Sequence, residues 1–338
     1  MDEHGIGAID LVVCNLYPFE ATVQQEGVTF PEVIEQIDIG GPSMVRSSAK
    51  NHRFVAIVTE PAQYAALLAD LDANEGSTSA ALRGDLARAA FARTAAYDAA
   101  IARWLAEQAD EALPATFASA RREAVLRYGE NPHQQAALYI DPLAPEGSLA
   151  GAKLLQGKAI SFNNYNDVDA AWALVREFDE PACVVIKHAN PCGAAISNSI
   201  REAYERAVEC DPRSAFGGIV ALNEPLTVDL ATTMAVKERF FEVLIAPGIE
   251  PEALNVFTSP DAPKWGKSLR ILDAGTTETP LFGHDVRSID GGFLVQTRDR
   301  MPFAEGSPRT VTETEPTPQQ ARDLKFAWMV AKHTKSNA

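Results

Sequence analysis

Short apolar runs alternate along this chain with longer stretches that open on helix-capping residues, and the alternation persists almost from end to end. Ile9 to Cys14 and Phe54 to Thr59 are apolar runs of strand length. Between them, Thr29-Phe30-Pro31-Glu32 has capping-box spacing with Pro inside the first turn, and predicts a helix to about Ile39. Gly40-Gly41 should end that helix, and Pro42 should open a second one through Lys50. Pro61 to Leu71 reads as a further helix. The Ala-rich, proline-free stretch from Ser79 to Gln108, interrupted only by Gly84, reads as one long helix or two, closed by Pro114.

A domain boundary is expected near Ala118, giving units 1–118 and 119–338, because the same alternation then starts afresh. A helix is expected from Asp167 to Phe178, with Asn166 or Asp167 as its cap, and another from Ser199 to Cys210. Strands are expected at Cys183 to Ile186, Gly218 to Leu222 and Val243 to Ala246. Thr317-Pro318-Gln319-Gln320 is a second capping box, opening a helix that ends near His333. Two α/β domains follow from this order of elements, and 338 residues exceed the usual size of one core.

The formal charge of −16 narrows the partners. Neither a nucleic-acid backbone nor an anionic membrane surface is attracted to such a field, although a small anion can still be held by a local cationic pocket. No apolar run approaches the roughly 18 residues of a membrane span, and the acidic start is no signal peptide. Cys14, Cys183, Cys192 and Cys210 include no Cys-x-x-Cys pair and read as reduced core thiols. A cytosolic protein is expected.

The chemistry concentrates where apolar runs end. Cys183 to Ile186 delivers Lys187 and His188 into the turn Ala189-Asn190-Pro191-Cys192-Gly193, and strand ends followed by turns are where α/β folds place ligands. There burial can bring both titratable groups toward neutrality; the ordinary alternative is a surface Lys beside a structural His. His188 before Pro191-Cys192 resembles a zinc deaminase motif, but the Glu two residues after the His and the second Cys are both missing, so no zinc set and no catalytic metal are expected. Asn15-Leu16-Tyr17-Pro18-Phe19, Asp38 with Gly40-Gly41, and Lys50 offer an amide, a phenol, a carboxylate, free helix N–H groups and an amine, or else plain turn and capping chemistry. Arg127-Tyr128 can grip a phosphate and stack on a flat base, or belong to an ordinary loop. Asn163 and Asn164 exceed the capping need of the helix after them, and Gly217-Gly218 permit close approach of a ligand or merely a sharp turn.

Taken together, NLYPF at 15–19, QIDIGGPSMVRSSAKN at 36–51, LRYGENPHQ at 126–134, ISFNNYNDVDAAW at 160–172, VVIKHANPCG at 184–193, SAFGGIVALN at 214–223, IAPG at 245–248 and KHTKSN at 332–337 closely resemble one family. It is the bifunctional AICAR formyltransferase/IMP cyclohydrolase family of purine biosynthesis. The resemblance implies an α/β protein: part of a methylglyoxal-synthase-like cyclohydrolase domain, then part of a cytidine-deaminase-like α/β/α transformylase domain without zinc. It implies that Lys187 and His188 are the transformylase catalytic pair, with Arg127, Tyr128, Asn164, Gly217, Glu242 and Asn337 at the substrate site. For the cyclohydrolase it implies Tyr17, Asp38 and Lys50 as catalytic residues, Lys50 transferring protons, and Asn15 and Gly40 as binding positions. AICAR, FAICAR/IMP and the co-substrate 10-formyltetrahydrofolate are the implied ligands, and a homodimer the implied assembly. Family members carry a strand and a phosphate-binding segment before the position of Met1, and much of the transformylase after Asn337. The resemblance thus implies a chain truncated at both ends with little activity of its own in either reaction. A non-catalytic remnant that binds nucleotide or dimerises is the alternative.

Overall fold

The computed structural model describes residues 2–115, 120–279, 281–300 and 308–335; the expected boundary at Ala118 and the site residue Asn337 lie outside the described residues. The chain divides into two compact units, one running up to Arg121 together with Asp141–Leu143, the other comprising Arg122–Ile140 and the residues from Ala144 onward.

In the first unit, β1 (Leu11–Val13) pairs in parallel with β2 (Ala56–Val58), in register Leu11 to Ala56. Around them lie α1 (Phe19–Val23), α2 (Phe30–Ile34), α3 (Gly40–Lys50), α4 (Tyr64–Ala73) and α5 (Ala80–Gln108). The Ala-rich stretch is a single helix, capped where the Ser79 hydroxyl accepts from the Leu82 N–H. Phe19 meets both Tyr97 and Trp104 of α5 edge-on, at 6.1 and 5.9 Å between ring centroids. The capping box at Thr29 forms as expected, but α2 stops at Ile34 instead of Ile39. The cause is the buried Tyr97 hydroxyl, which donates to the Gln36 carbonyl at 2.8 Å and accepts from the Asp38 N–H at 2.9 Å. Those backbone groups are thereby diverted from helical pairing, and Gly40-Gly41 form the first turn of α3 instead of closing the helix before it.

The second unit begins with β3 (Arg121–Leu126) and β4 (Ala136–Ile140), a two-stranded sheet, followed by β5 (Lys153–Gln156) and α6 (Phe162–Val175). Next come β6 (Ala182–Lys187), β7 (Asn190–Ile196), α7 (Ile200–Cys210), α8 (Pro212–Ala215), β8 (Gly218–Leu222), α9 (Val228–Met234), β9 (Phe241–Ala246), α10 (Pro251–Thr258) and β10 (Arg270–Asp273). A hairpin of β11 (His284–Ile289) and β12 (Gly292–Thr297) and a final helix α11 (Pro318–Lys332) complete it. Six strands form one mixed sheet in the order β5-β10-β9-β8-β6-β7. β8, β9 and β10 run parallel to one another, whereas β6 is antiparallel to both β7 and β8.

Both faces of this sheet are covered, so its central strands are apolar at consecutive positions. Cys183 and Val185 of β6 join Val220, Leu222 and Leu244 in a core with α7, α9 and α10. Val184 and Ile186 join Ile219, Ala221, Val243 and Ile245 in a second core with α6 and α11. α6 begins five residues before the expected Asp167: its cap is Ser161, whose hydroxyl accepts from the Asn164 N–H at 3.1 Å. The Lys332-His333 pair at the end of α11 docks on Glu177, with Nζ and Nε2 at 2.7 and 2.9 Å from Oε1. Burial opposes ionisation of Glu177, but the hydrogen bonds from His333 and Lys332 outweigh it and hold the carboxyl below its usual range. Among the described residues no helix is long and apolar enough to cross a membrane.

At Gly193, β7 passes so close to α7 that a Cβ would collide with the Ala207 carbonyl oxygen. Gly193→Ala is expected to destabilise the second unit by about 1–3 kcal/mol, the usual cost of overpacking, read as a lowered midpoint in thermal unfolding.

Candidate active site

The last residue of β6 and the first of β7, Lys187 and Asn190, face each other across a two-residue turn made of His188 and Ala189. The expected strand end is therefore a tight hairpin, with φ of +53° at His188 and +56° at Ala189. Lys187 is half-buried and His188 exposed, on a strand that is otherwise fully enclosed. The Lys187 ammonium donates to the Phe216 carbonyl at 2.8 Å, which ties it to the turn before β8.

From there a chain of contacts circles the mouth of the sheet. Gly217, at φ +74°, donates its N–H to the Phe240 carbonyl at 2.8 Å, just before Glu242 at the start of β9. Glu242 Oε2 accepts from the Asn164 side chain at 3.0 Å, and the Arg270 guanidinium of β10 lies 3.9 Å away. Asn164 sits in the first turn of α6, and one turn further on Asp167 accepts from the N–H groups of His188 and Ala189. The circuit thus closes on the turn where it began. Asp167 is no cap, as the sequence suggested, but a bracket for the turn.

The loop after β3 joins at the same end. Asn163 donates to the Glu130 carbonyl at 3.3 Å, and the Arg127 guanidinium lies 5.6 Å from the centre of the Tyr128 ring. On the other side of the turn, Asn190 Oδ1 accepts from the Lys335 N–H at 2.8 Å, two residues before Asn337. Lys187, His188, Asn164, Gly217 and Glu242 are thereby gathered at one edge, with the Arg127–Tyr128 loop tied in through Asn163. Sequence reasoning missed Asp167 and Arg270, neither of which carries a local signal, since an Asp early in a helix ordinarily reads as a cap.

Cys192 is not a nucleophile here. Its thiol donates to the Val185 carbonyl at 3.4 Å, and burial pushes it up to about 11. Burial raises Cys183 also, whereas Cys210 is exposed, contrary to a wholly buried set of thiols. At pH 8, iodoacetamide should label Cys210 in the native protein and leave Cys183 and Cys192 untouched until denaturation; rapid native labelling of Cys192 would contradict the assignment.

In the first unit, the strand end carrying Cys14 and Asn15 approaches the start of α3, with Cys14 Sγ 4.0 Å from the Gly41 carbonyl. Asp38 Oδ1 accepts from the Gly41 N–H at 2.7 Å, so this helix N–H is not free, and a Cβ on Gly41 would strike the carboxylate. Asn15, Tyr17, Gly40 and Lys50 are exposed. Lys50 stands at the other end of α3 from Gly40, roughly 15 Å along the axis at 1.5 Å per residue. Tyr97, which holds the Asp38 backbone, was not singled out in the sequence, although its seven-residue spacing from Trp104 marks one helix face. Tyr97→Phe leaves Gln36 O and Asp38 N without their partner and should cost about 1–3 kcal/mol in urea unfolding; an unchanged midpoint would refute that role.

Known proteins resemble this chain over its whole length. The family model described as the AICARFT/IMPCHase bienzyme matches residues 48–338. The Bifunctional purine biosynthesis protein PurH of Roseobacter denitrificans is 50% identical over 342 residues, covering 100% of this chain and 63% of its own length. That of Magnetococcus marinus is 49% identical over 345 residues, covering 100% and 64%. A solved chain from "Crystal structure of ForH" is 37% identical and covers 30% of this chain and 53% of its own, but with a TM-score of 0.26 it says nothing of the fold. The chain spans a little under two thirds of the curated relatives it matches. It belongs to the AICARFT/IMPCHase bienzyme family.

Proposed function

We propose that the chain carries the site of AICAR transformylase chemistry, the transfer of a formyl group from 10-formyltetrahydrofolate to the 5-amino group of AICAR. The observation that carries the reading is the circuit joining Lys187, Gly217, Glu242, Asn164 and the His188 turn at one end of the sheet. The amino nitrogen of AICAR is a poor nucleophile, because its lone pair is delocalised into the imidazole and carboxamide. A base is needed. His188, exposed at the tip of a fixed turn, takes the proton as nitrogen attacks the formyl carbon, and the proton passes to N10 of the folate as the formyl carbon–N10 bond breaks and tetrahydrofolate leaves. Lys187 stabilises the negative charge that develops on the formyl oxygen, and does so best once substrate has displaced water. Arg127 grips the phosphate and Tyr128 stacks on the base.

The first unit is read as part of the IMP cyclohydrolase, with Asn15, Tyr17, Asp38, Gly40 and Lys50 serving the dehydrative closure of FAICAR to IMP. On this reading it is methylglyoxal-synthase-like and the second unit cytidine-deaminase-like, and the protein works in the cytosol as a homodimer. Support comes from the family match and from the approach of the Asn15 strand end to Asp38 and Gly41.

The product of the intact gene should release tetrahydrofolate in an AICAR-dependent manner. His188→Ala is expected to lower kcat about 10²–10⁴-fold with little change in KM for AICAR, as loss of a general base does. Arg127→Ala should mainly raise that KM. Near-normal turnover in the His188 variant would remove the mechanism.

A further inference from the structure

The search for unassigned chemistry leads back to α6. We propose that Asp167 is the positioning residue of the reactive turn, holding His188 in register with the substrate-holding end of the same helix. The inference rests on the transformylase reading for its catalytic consequence, but on geometry alone for the turn.

A two-residue turn with both residues at positive φ is the natural link between twisted antiparallel strands, and its sequence preference is Asn-Gly or Asp-Gly. Here the two places are filled by His188, which enters the left-handed region more readily than most residues, and by Ala189, whose Cβ disfavours it. Nothing within the turn itself compensates for that choice. The compensation comes from outside: Asp167 Oδ1 accepts from the Ala189 N–H at 2.8 Å and Oδ2 from the His188 N–H at 3.3 Å. Each carboxylate oxygen takes one amide, so both turn donors are satisfied only while the left-handed conformation persists. The helix beneath is immobilised by Val168 and Trp172, both buried, with the Trp172 indole N–H donating to the Gly147 carbonyl at 2.9 Å.

Asp167 also lies one helical turn after Asn164, whose side chain is bonded to Glu242. A single rigid helix therefore fixes the distance between the proposed base and the proposed substrate anchor. Asn in place of Asp keeps one acceptor oxygen but aims an NH₂ donor at the second turn N–H, so it cannot reproduce the bracket.

The test uses the product of the intact gene, with hydrogen exchange and formyl-transfer kinetics on Asp167→Ala, Asp167→Asn and the double variant Asp167→Ala/Ala189→Gly. Exchange in the peptide spanning Lys187–Asn190 is expected to quicken at least 10-fold in both single variants, while β8 and α7 keep their protection. In the same variants kcat should fall about 10–100-fold with KM for AICAR within roughly threefold, the loss expected when a 1 Å misplacement spoils the geometry. The glycine at 189 accepts positive φ without penalty, and should restore several-fold of the lost kcat. Unchanged exchange in the turn, or quickened exchange with unchanged kcat, overturns the proposal. Should Asp167→Ala fail to fold, Asp167→Asn alone decides between these outcomes. Absence of formyl transfer in the unsubstituted enzyme would defeat the functional reading, and with it the catalytic half of this inference, while the exchange result would still decide whether Asp167 holds the turn.

Discussion

One carboxylate facing two backbone N–H groups sets the geometry of everything around the sheet's mouth. The β6–β7 turn bends through two side-chain-bearing residues at positive φ, a conformation that a hairpin of this sequence does not favour unaided. Asp167 supplies what the sequence of the turn lacks. Lys187 can then reach the Phe216 carbonyl, and Asn190 the Lys335 backbone, because the strands on either side enter and leave the turn in a fixed register. Loosening this bracket would disturb each of those contacts together, since all of them hang on a single hairpin.

The mixed sheet explains why so many elements converge there. In a parallel sheet ligands gather at the carboxyl ends of the strands. β6 obeys that rule, but it runs antiparallel to β8, so its carboxyl end lies beside the amino ends of β8, β9 and β10. The turn before Gly218, Glu242 near the start of β9, and Arg270 at the start of β10 are therefore brought to one edge. Two side chains on a tight hairpin have less freedom than two on a loop leading into a helix, and the double burial of β6 leaves the strand no room to slide.

Much of this was legible in the chain before its structure. Apolar runs without alternation, such as Cys183 to Ile186, announce strands covered on both faces, and β8 coincides with the expected Gly218 to Leu222. Capping residues located the starts of α5, α7 and α11 because those signals are local. The errors are of another kind. α2 ends early because a tyrosine some sixty residues away takes its backbone groups, and α6 begins early because Ser161 caps it while Asp167 is engaged elsewhere. Asn163 and Asn164, surplus to capping, proved to tie α6 to Glu130 and Glu242. A side chain's choice between its own helix and a distant backbone is decided by tertiary contact, and no sequence window contains it.

The first unit repeats the device with different parts. Asp38 accepts from the Gly41 N–H, and Tyr97 holds the Asp38 backbone from beneath. Here the constraint bears on the residue that receives the carboxylate: a Cβ at 41 would meet the Asp38 carboxylate, which would have to turn away, so crowding and not a torsion angle favours glycine. In the second unit the carboxylate meets only the backbone N–H groups of 188 and 189, and both positions carry side chains. The difference has a chemical consequence. A glycine crowded by the acid that takes its N–H presents neither side chain nor free donor, whereas a turn held by an acid through its backbone N–H groups can still carry a functional side chain at its tip.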